Sequence, residues 1–154
     1  LDIQYLRGDS TLKAELVRRS GQYDRLGTAP TYRAGVFGIE HNVYGIMDGG
    51  HDIVLLGEYA RDSRKGLSHS GFQNDLTVGG RWLWNDVDYT EVLGLLTRDL
   101  DNGAQTMTVS IDWRISEEVT FEASARGTSR YASDPNSSAL QKDSAVIMAL
   151  TYRF

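Results

Sequence analysis

The 154-residue sequence has no Cys, only two Pro, sixteen Gly and a formal net charge of −5 at pH 7. The lack of Cys excludes disulfide bonds and thiolate metal sites, and the negative charge argues against a surface that binds nucleic-acid phosphates. No run of about 18 apolar residues is present, which excludes a transmembrane helix but not a transmembrane strand, whose residues are half polar.

The first residues, Leu1-Asp2-Ile3-Gln4-Tyr5, already alternate between apolar and polar side chains. They include no initiator Met, no basic stretch and no apolar stretch of the kind found in signal peptides. We therefore expect either that a signal peptide has been removed or that N-terminal sequence is missing.

Period-2 alternation predicts nine β-strands along the chain, and no stretch predicts a helix. The predicted strands lie near residues 1–6, 11–20, 35–44, 52–62, 74–85, 89–100, 107–115, 119–126 and 146–154. The last strand shows the clearest pattern, because Val146, Met148, Leu150, Tyr152 and Phe154 all fall on one face.

The connections between these strands alternate between short and long. Short ones lie near 8–10, 47–50, 86–88 and 116–118, and long ones near 21–31, 63–73 and 132–142, with a short exception at 101–104. Bacterial outer-membrane barrels have short periplasmic turns and longer extracellular loops. The rhythm therefore predicts an antiparallel meander whose short turns all lie at one end, the periplasmic end.

The apolar face of each strand is the candidate lipid-facing surface. Its expected members are Trp82, Val109, Ile111, Ala123, Met148 and Leu150. Aromatic residues fall near the two ends of the strands, as they do at the two headgroup layers of a bilayer. Tyr44, Trp82, Trp84, Tyr89, Trp113, Phe121, Tyr152 and Phe154 lie near the short-turn ends, and Tyr59, Phe72 and Tyr131 near the others. A soluble barrel with its apolar face inside is the alternative.

The final residues, Ala149-Leu150-Thr151-Tyr152-Arg153-Phe154, resemble the C-terminal signature of outer-membrane proteins, a terminal aromatic residue preceded by alternating apolar residues. The resemblance implies that Leu150, Tyr152 and Phe154 form an assembly signal recognised by the barrel-assembly machinery.

A second resemblance covers most of the chain. The stretches 44–46, 55–59, 72–76 and 90–93 are similar to the C-terminal half of an uncharacterised, porin-like group of proteobacterial outer-membrane proteins. It implies that the chain is a fragment of a larger barrel in the bacterial outer membrane, and it supplies no catalytic residue.

Charged residues occupy the polar face of the predicted strands, and we expect them to face a lumen. They are Glu40, Glu58, Arg81, Glu91, Asp112, Arg114, Glu122 and Arg126. Hairpin closure at the short turns would place Glu40 opposite Glu58, Arg81 diagonal to Glu91, and Asp112 opposite Glu122 with Arg114 and Arg126 nearby. Such charges either form ion pairs that fill a closed interior or line a wet one, because unpaired buried charges are costly.

Other candidates for chemistry are weaker. The spacing of His41, His51 and His69 fits no metal motif. Ser68-His69-Ser70 is the only local Ser–His candidate for hydrolysis, and no orienting acid is evident. The acids Asp99, Asp101 and Asp134 are candidates for a cation site, but Asp101-Asn102-Gly103 is better explained as a turn. We expect no enzyme activity, no metal and no cofactor.

The sequence therefore predicts one all-β domain over residues 1–154, an antiparallel up-and-down transmembrane barrel. Nine visible strands indicate missing N-terminal strands, because single-chain bacterial barrels normally have an even number. The predicted function is a passive, porin-like channel whose partners are outer-membrane lipid and the assembly machinery. The alternatives are a small eight-stranded structural or adhesive barrel, an outer-membrane enzyme and a soluble lipocalin-like binder. The solute, the total strand number and the oligomeric state stay open.

Overall fold

The computed structural model describes residues 1–48, 50–69, 73–85, 89–129 and 144–154. Nine strands and one short 3-10 turn, Lys65–Leu67, lie within them. The strands are β1 (Asp2–Arg7), β2 (Ser10–Arg19), β3 (Tyr32–Ile46), β4 (His51–Asp62), β5 (Asn74–Trp84), β6 (Glu91–Asp99), β7 (Gln105–Arg114), β8 (Val119–Ser129) and β9 (Ala145–Tyr152). The nine predicted strands are confirmed, with ends that differ by a few residues. No helix in the described ranges is long and apolar enough to cross a membrane.

The nine strands form a single antiparallel sheet in chain order, from β1 to β9. Each strand pairs with the next one along the chain, so the topology is an uninterrupted meander. Within the described residues β1 pairs only with β2 and β9 only with β8, so both outer edges are free and the sheet is open. The all-β antiparallel class is therefore confirmed, whereas closure into a barrel is not a feature of this sheet.

The two ends of the sheet differ in the length of their connections. At what we call the turn end, strands are joined by the short segments 8–9, 47–50, 85–90 and 115–118. Gly8 takes a left-handed φ of 56°, which a glycine adopts without strain and which lets β1 reverse within two residues. At the opposite end, the loop end, segments 20–31, 63–73, 100–104 and 130–144 join the strands.

The β3–β4 hairpin contains an irregularity that shifts its register. Pairing is regular up to Val43 opposite Ile53 and resumes at Ile46 opposite His51, so β3 has one additional residue there, a β-bulge. As a result Glu40 lies opposite Leu56, and Glu58 lies opposite Gly38. The predicted facing of Glu40 and Glu58 is wrong for two reasons: the closing pair Ile46 and His51 would by itself place Glu40 opposite Gly57, and the bulge moves it one residue further, to Leu56.

The register aligns most apolar side chains of the strands on one face, which we call the apolar face. One cross-strand row runs from β3 to β9 through Val43, Ile53, Trp82, Val92, Ile111, Ala123 and Met148. Residues directly opposite each other in a sheet project to the same side, and neighbours along a strand project to opposite sides. Every Asp and Glu within the nine strands therefore lies on the other face, the polar face.

The sheet has almost no hydrophobic core of its own. In the described ranges the only buried apolar residues are Tyr32, Ala60 and Ala104. By contrast, Phe37 is 57% exposed and Met148 is 69% exposed. A contiguous apolar surface of this extent is rare on a monomeric protein in water and marks a site of contact with lipid or protein.

Aromatic residues cluster at the turn end of the apolar face. The rings of Trp82 and Trp84 stack in parallel, with centroids 4.9 Å apart, and His51 meets both edge-on at 5.8 and 5.6 Å. Trp113 lies opposite Phe121, and Tyr152 on β9 continues this zone. The sheet therefore carries an aromatic zone at its turn end, as the sequence predicted for these residues.

Gly79 lets β5 approach β6 closely in the middle of the sheet. A Cβ added to Gly79 would collide with the carbonyl oxygen of Gly94 and lie 2.7 Å from Leu95 Cδ2. We expect Gly79→Ala to lower the free energy of unfolding by about 1–3 kcal/mol, because the backbones of β5 and β6 must separate. Gly94→Ala is the matched control, since nothing lies within 4 Å of its added Cβ. Urea unfolding followed by tryptophan fluorescence checks this, and equal midpoints for both variants would contradict it.

Candidate functional site

The polar face is concave. It borders a cavity of about 740 Å³ that is lined by residues from β1 through β6. Its polar lining includes Asp2, Gln4, Lys13, Glu15, Glu40, Glu58, Thr77 and Thr97. Because side chains from β1 and β6 line the same space, the sheet curves toward its polar face, and the apolar face is on the convex side.

All eight charged residues that the sequence singled out lie on this concave face. They do not form one cluster. Glu40 and Glu58 line the cavity, whereas Arg81, Glu91, Asp112 and Glu122 lie nearer the turn end. The remaining two are Arg114, at the end of β7, and Arg126, opposite Thr108 on β7. That this face lines a lumen stays a prediction.

Carboxylates outnumber basic groups around the cavity. Lys13 Nζ lies 2.6 Å from Glu40 Oε1, in a half-exposed pair that joins β2 to β3. Exposed pairs of this kind contribute at most about 1 kcal/mol to stability. The lining also contains Asp2, Glu15 and Glu58, so the cavity has a net negative charge.

A second acidic cluster crosses three strands near the turn end. Glu91 lies opposite Asp112, and Asp112 lies opposite Glu122, so the three carboxylates form one cross-strand row that we call the carboxylate row. Arg81 reaches it diagonally, with Nε 3.1 Å from Glu91 Oε1, as predicted. Like charges directly opposite each other destabilise a sheet unless a cation compensates them, so this row attracts cations.

Arg126 does not belong to the carboxylate row. It lies four residues beyond Glu122 on β8, about 13 Å along the strand. Its predicted proximity to this pair is wrong, because the two residues share a face without being neighbours on it. Arg114 lies closer, opposite Thr120, and donates from Nε to the Ser116 carbonyl oxygen at 3.3 Å.

Neutral side chains separate the two acidic zones. Leu56, Leu93 and Leu95 lie on the polar face between Glu58 and the carboxylate row, together with Val54. Threonine hydroxyls pair across strands on the same face, Thr77 with Thr97 at 2.8 Å and Thr106 with Thr128 at 3.2 Å. The concave surface therefore alternates charged, aliphatic and hydroxyl-bearing zones.

The loop end carries a buried polar cluster that the sequence did not predict. Arg64 Nη2 lies 2.6 Å from Asp62 Oδ2, and these side chains are only 7% and 4% exposed. The guanidinium stacks 3.5 Å from the centre of the Tyr32 ring. Its hydrogen bonds with Asp62 raise the pKa of Arg64 above its usual value. The local signal was the Asp-Ser-Arg sequence at 62–64, but its burial depends on Tyr32, thirty residues earlier.

The Ser–His candidate falls within this cluster. Ser68 is fully buried, and its hydroxyl donates to Asp62 Oδ2 at 2.9 Å. His69 is exposed in the same loop, whereas Ser70 lies outside the described residues. The structure thus gives Ser68 a role in holding the loop together and places its hydroxyl away from solvent.

Neighbouring loops are tied to this cluster. Arg25 Nε donates to the Ser68 carbonyl oxygen at 2.9 Å, which links segment 20–31 to segment 63–69. Within the first segment, Asp24 Oδ1 accepts from the backbone N–H groups of Leu26 and Thr28. A further hydrogen bond from the Thr28 hydroxyl lowers the pKa of Asp24, so this carboxylate stays ionised in the folded loop.

The acidic loop candidates form turns. Asp99 Oδ1 accepts from the backbone N–H groups of Asp101 at 2.7 Å and Asn102 at 3.0 Å, which confirms the predicted turn. Asp134 lies outside the described residues.

The histidines are dispersed. His41 Nδ1 lies 2.8 Å from Ser10 Oγ, His51 belongs to the tryptophan cluster, and His69 is in a loop. Among the described residues, no group of three or more His, Asp or Glu side chains is arranged to hold a metal ion.

The C-terminal residues extend from the apolar face at the turn end. Leu150 lies opposite Phe121 and Tyr152 opposite Val119 on β8, and the rings of Tyr152 and Phe154 are 5.8 Å apart. All three side chains of the predicted assembly signal are exposed, so they are accessible to a partner.

Comparison of the chain with protein-family models, with curated proteins and with solved structures gives no match in any of the three.

The loop-end cluster depends on the ion pair between Asp62 and Arg64. Asp62→Asn removes the counter-ion of a buried arginine, which destabilises this region by on the order of 3 kcal/mol. We expect the 62–69 loop to open and trypsin to cleave after Arg64 several-fold faster than in the unmodified protein. Glu40→Gln, which breaks the exposed pair with Lys13, is the control and should leave that cleavage rate unchanged. Equal cleavage in all three proteins would show that the Asp62–Arg64 pair does not hold the loop.

Proposed function

We propose that this chain forms the wall of a Gram-negative outer-membrane β-barrel, related to the porin-like group that its sequence resembles, and that it acts as a passive channel. The observation that carries the proposal is the separation of the two faces. Every strand carboxylate lies on the concave face, and the convex face is mostly apolar, has no strand carboxylate and is uncovered. Transmembrane barrels have this arrangement, with a polar interior and an apolar belt outside.

Contact with lipid explains the exposed apolar side chains of the convex face better than contact with water does. A domain in water normally buries an apolar sheet face against a second layer. The described residues contain no such layer, and Leu150 stays 69% exposed. Strand length also fits, since a transmembrane strand needs about 9–11 residues and most strands of this sheet, such as β4 and β8, reach that length.

The proposal also requires that the two free edges of the sheet, β1 and β9, be paired. Unpaired backbone N–H and C=O groups in hydrocarbon cost several kcal/mol each, so β1 and β9 must be paired in a membrane. Pairing with each other or with further strands would close the barrel. In this arrangement the turn end faces the periplasm and the loop end faces outward. Leu150, Tyr152 and Phe154 then present the assembly signal at the periplasmic rim.

The concave face supports selectivity for cations. Its strand residues include eleven carboxylates, whereas its basic residues are Lys13, Arg19, Arg81, Arg114 and Arg126. A wall with this excess of negative charge concentrates cations and repels anions. The carboxylate row contributes to this excess, and Arg81 is its close ion-pair partner.

A structural barrel that does not conduct is the second candidate. The aliphatic side chains of Leu56, Leu93 and Leu95 lie on the concave face, where they favour a filled interior over a wet one. Conductance measurements separate the two candidates.

Neighbouring residues on β7 test which face meets lipid. Val109 is on the apolar face in the middle of the strand, and Ser110 is on the polar face. Val109→Arg should lower the stability of the protein in lipid vesicles by about 2–4 kcal/mol, because it places a charge in hydrocarbon. Ser110→Arg should be tolerated. Urea titration of vesicle-reconstituted protein measures both, and a larger loss for Ser110→Arg would reverse the assignment of the faces.

Ion selectivity tests the channel. Arg81→Gln removes the cation that pairs with Glu91, so the ratio of potassium to chloride permeability in planar bilayers should rise. Arg7→Gln, with the same change of charge on the apolar face, is the control and should leave the ratio unchanged. Absence of conductance in every protein would instead support the structural barrel.

A further inference from the structure

Most of the positive charge on the convex face lies near the loop end. No Asp or Glu of the nine strands lies on this face, but four arginines do so near the loop end, on β2, β3, β4 and β6. These are Arg18, Arg33, Arg61 and Arg98, which we call the arginine row. A fifth arginine of this face, Arg7, lies at the turn end.

The arginine row follows the stagger of the strands. Arg18 lies directly opposite Arg33, and Arg61, opposite Gly35, is diagonal to Arg33. Relative to the cross-strand row through Gly38, Glu58 and Thr97, the arginines lie five residues toward the loop end on β2 and β3, three on β4 and one on β6. Strands of a barrel tilt and stagger in this way, so a plane parallel to a membrane would pass close to all four.

The four guanidinium groups have no counter-charge in the described part of the protein. All four residues are exposed, and within the described residues none forms an ion pair with a carboxylate. Like charges directly opposite each other, such as Arg18 and Arg33, destabilise a sheet unless something bridges them. Since the strand carboxylates point to the concave side, none of them can compensate the arginine row, which leaves these guanidinium groups open to an anionic ligand.

The arginine row also lies at a defined distance from the aromatic zone. On β4, ten residues separate Arg61 from His51, which belongs to the tryptophan cluster. Ten residues span about 33 Å along a strand. With a strand tilt of about 45°, this corresponds to about 23 Å along the membrane normal, close to the ~25 Å apolar belt of outer-membrane barrels. The arginines therefore lie where the headgroups at the loop end would be.

We propose that the arginine row binds the phosphate groups of anionic lipids in the leaflet at the loop end, an inference that rests on the membrane location proposed above. A guanidinium forms two parallel hydrogen bonds with a phosphate, which a point charge cannot do. Exposed apolar side chains lie next to the row, Phe37 diagonal to Arg61 and Leu76 directly opposite Arg98. One lipid can therefore contact the arginines with its headgroup and these side chains with its acyl chain, which free phosphate cannot do.

The test measures lipid selectivity at the protein surface. The protein is reconstituted into phosphatidylcholine bilayers that contain a trace of spin-labelled phosphatidic acid or spin-labelled phosphatidylcholine. Electron paramagnetic resonance then gives the fraction of each lipid that the protein immobilises. We expect a preference of about fivefold or more for phosphatidic acid, consistent with the attraction of several basic residues to an anionic lipid.

Variants of the arginines show which residues cause the lipid preference. Replacement of Arg33, Arg61 and Arg98 by Gln should reduce it to less than about twofold, and their replacement by Lys should retain most of it. Arg7→Gln, at the other end of the same face, should retain all of it. The side chains of these three arginines make no hydrogen bond within the described residues, so their replacement leaves the packing of the sheet intact.

Three outcomes would overturn the inference. The first is an equal immobilised fraction of both lipids, and the second is an unchanged preference in the triple Gln variant. The third is loss of the preference when inorganic phosphate replaces chloride at constant ionic strength, which would assign the site to free phosphate. Absence of any immobilised lipid would overturn the membrane proposal as well, whereas insertion without preference leaves that proposal standing.

Discussion

The period-2 geometry of the extended backbone is the constraint on which this structure depends. Consecutive residues of a strand project to opposite sides, so the pairing register decides which side chains share a face. Eight pairings in succession keep the strand carboxylates on the concave face and leave the convex face without one. A shift of one residue in the β5–β6, β6–β7 or β7–β8 pairing would place Glu91, Asp112 or Glu122 on the same face as the tryptophans. The separation of charge across the sheet is thus a property of the register rather than of any single contact.

The rest of the structure adjusts to this constraint. The β-bulge near Val43 adds a residue where β3 reaches its turn and places Glu40 opposite Leu56, while the regular β2–β3 ladder lets Glu40 pair with Lys13. The glycine at 79 lets β5 approach β6 where a side chain would collide with backbone. Each of these features changes local geometry while the two faces keep their composition. The sheet therefore tolerates irregularity at its turns and in its spacing, but not in the parity of its strands.

Much of the fold could be predicted from the sequence, because alternation is a local signal. The nine strands, their meander and the sharing of one face by the eight charged residues all follow from it. Register was predicted correctly where the turn is regular, as for Asp112 opposite Glu122, and incorrectly where a bulge intervenes, as for Glu40. The loop-end cluster could not be predicted, because the burial of Arg64 depends on the ring of Tyr32, which approaches only after β3 and β4 have paired. Closure of the sheet cannot be predicted from local alternation either, because it depends on what pairs with β1 and β9.

At the loop end, the dipeptide Arg-Asp places opposite charges on the two faces of the sheet. Two strands finish on the same dipeptide, Arg61-Asp62 on β4 and Arg98-Asp99 on β6. Neighbouring residues of a strand project to opposite sides, so the two charges of this dipeptide do not compensate each other. Asp62 and Asp99 turn inward, where both are buried and accept hydrogen bonds from the loops. Arg61 and Arg98 turn outward, next to the apolar surface. The same alternation that gives the concave face its negative charge therefore leaves positive charge at the outer rim of the convex face, and the two charges stay apart because the sheet lies between them.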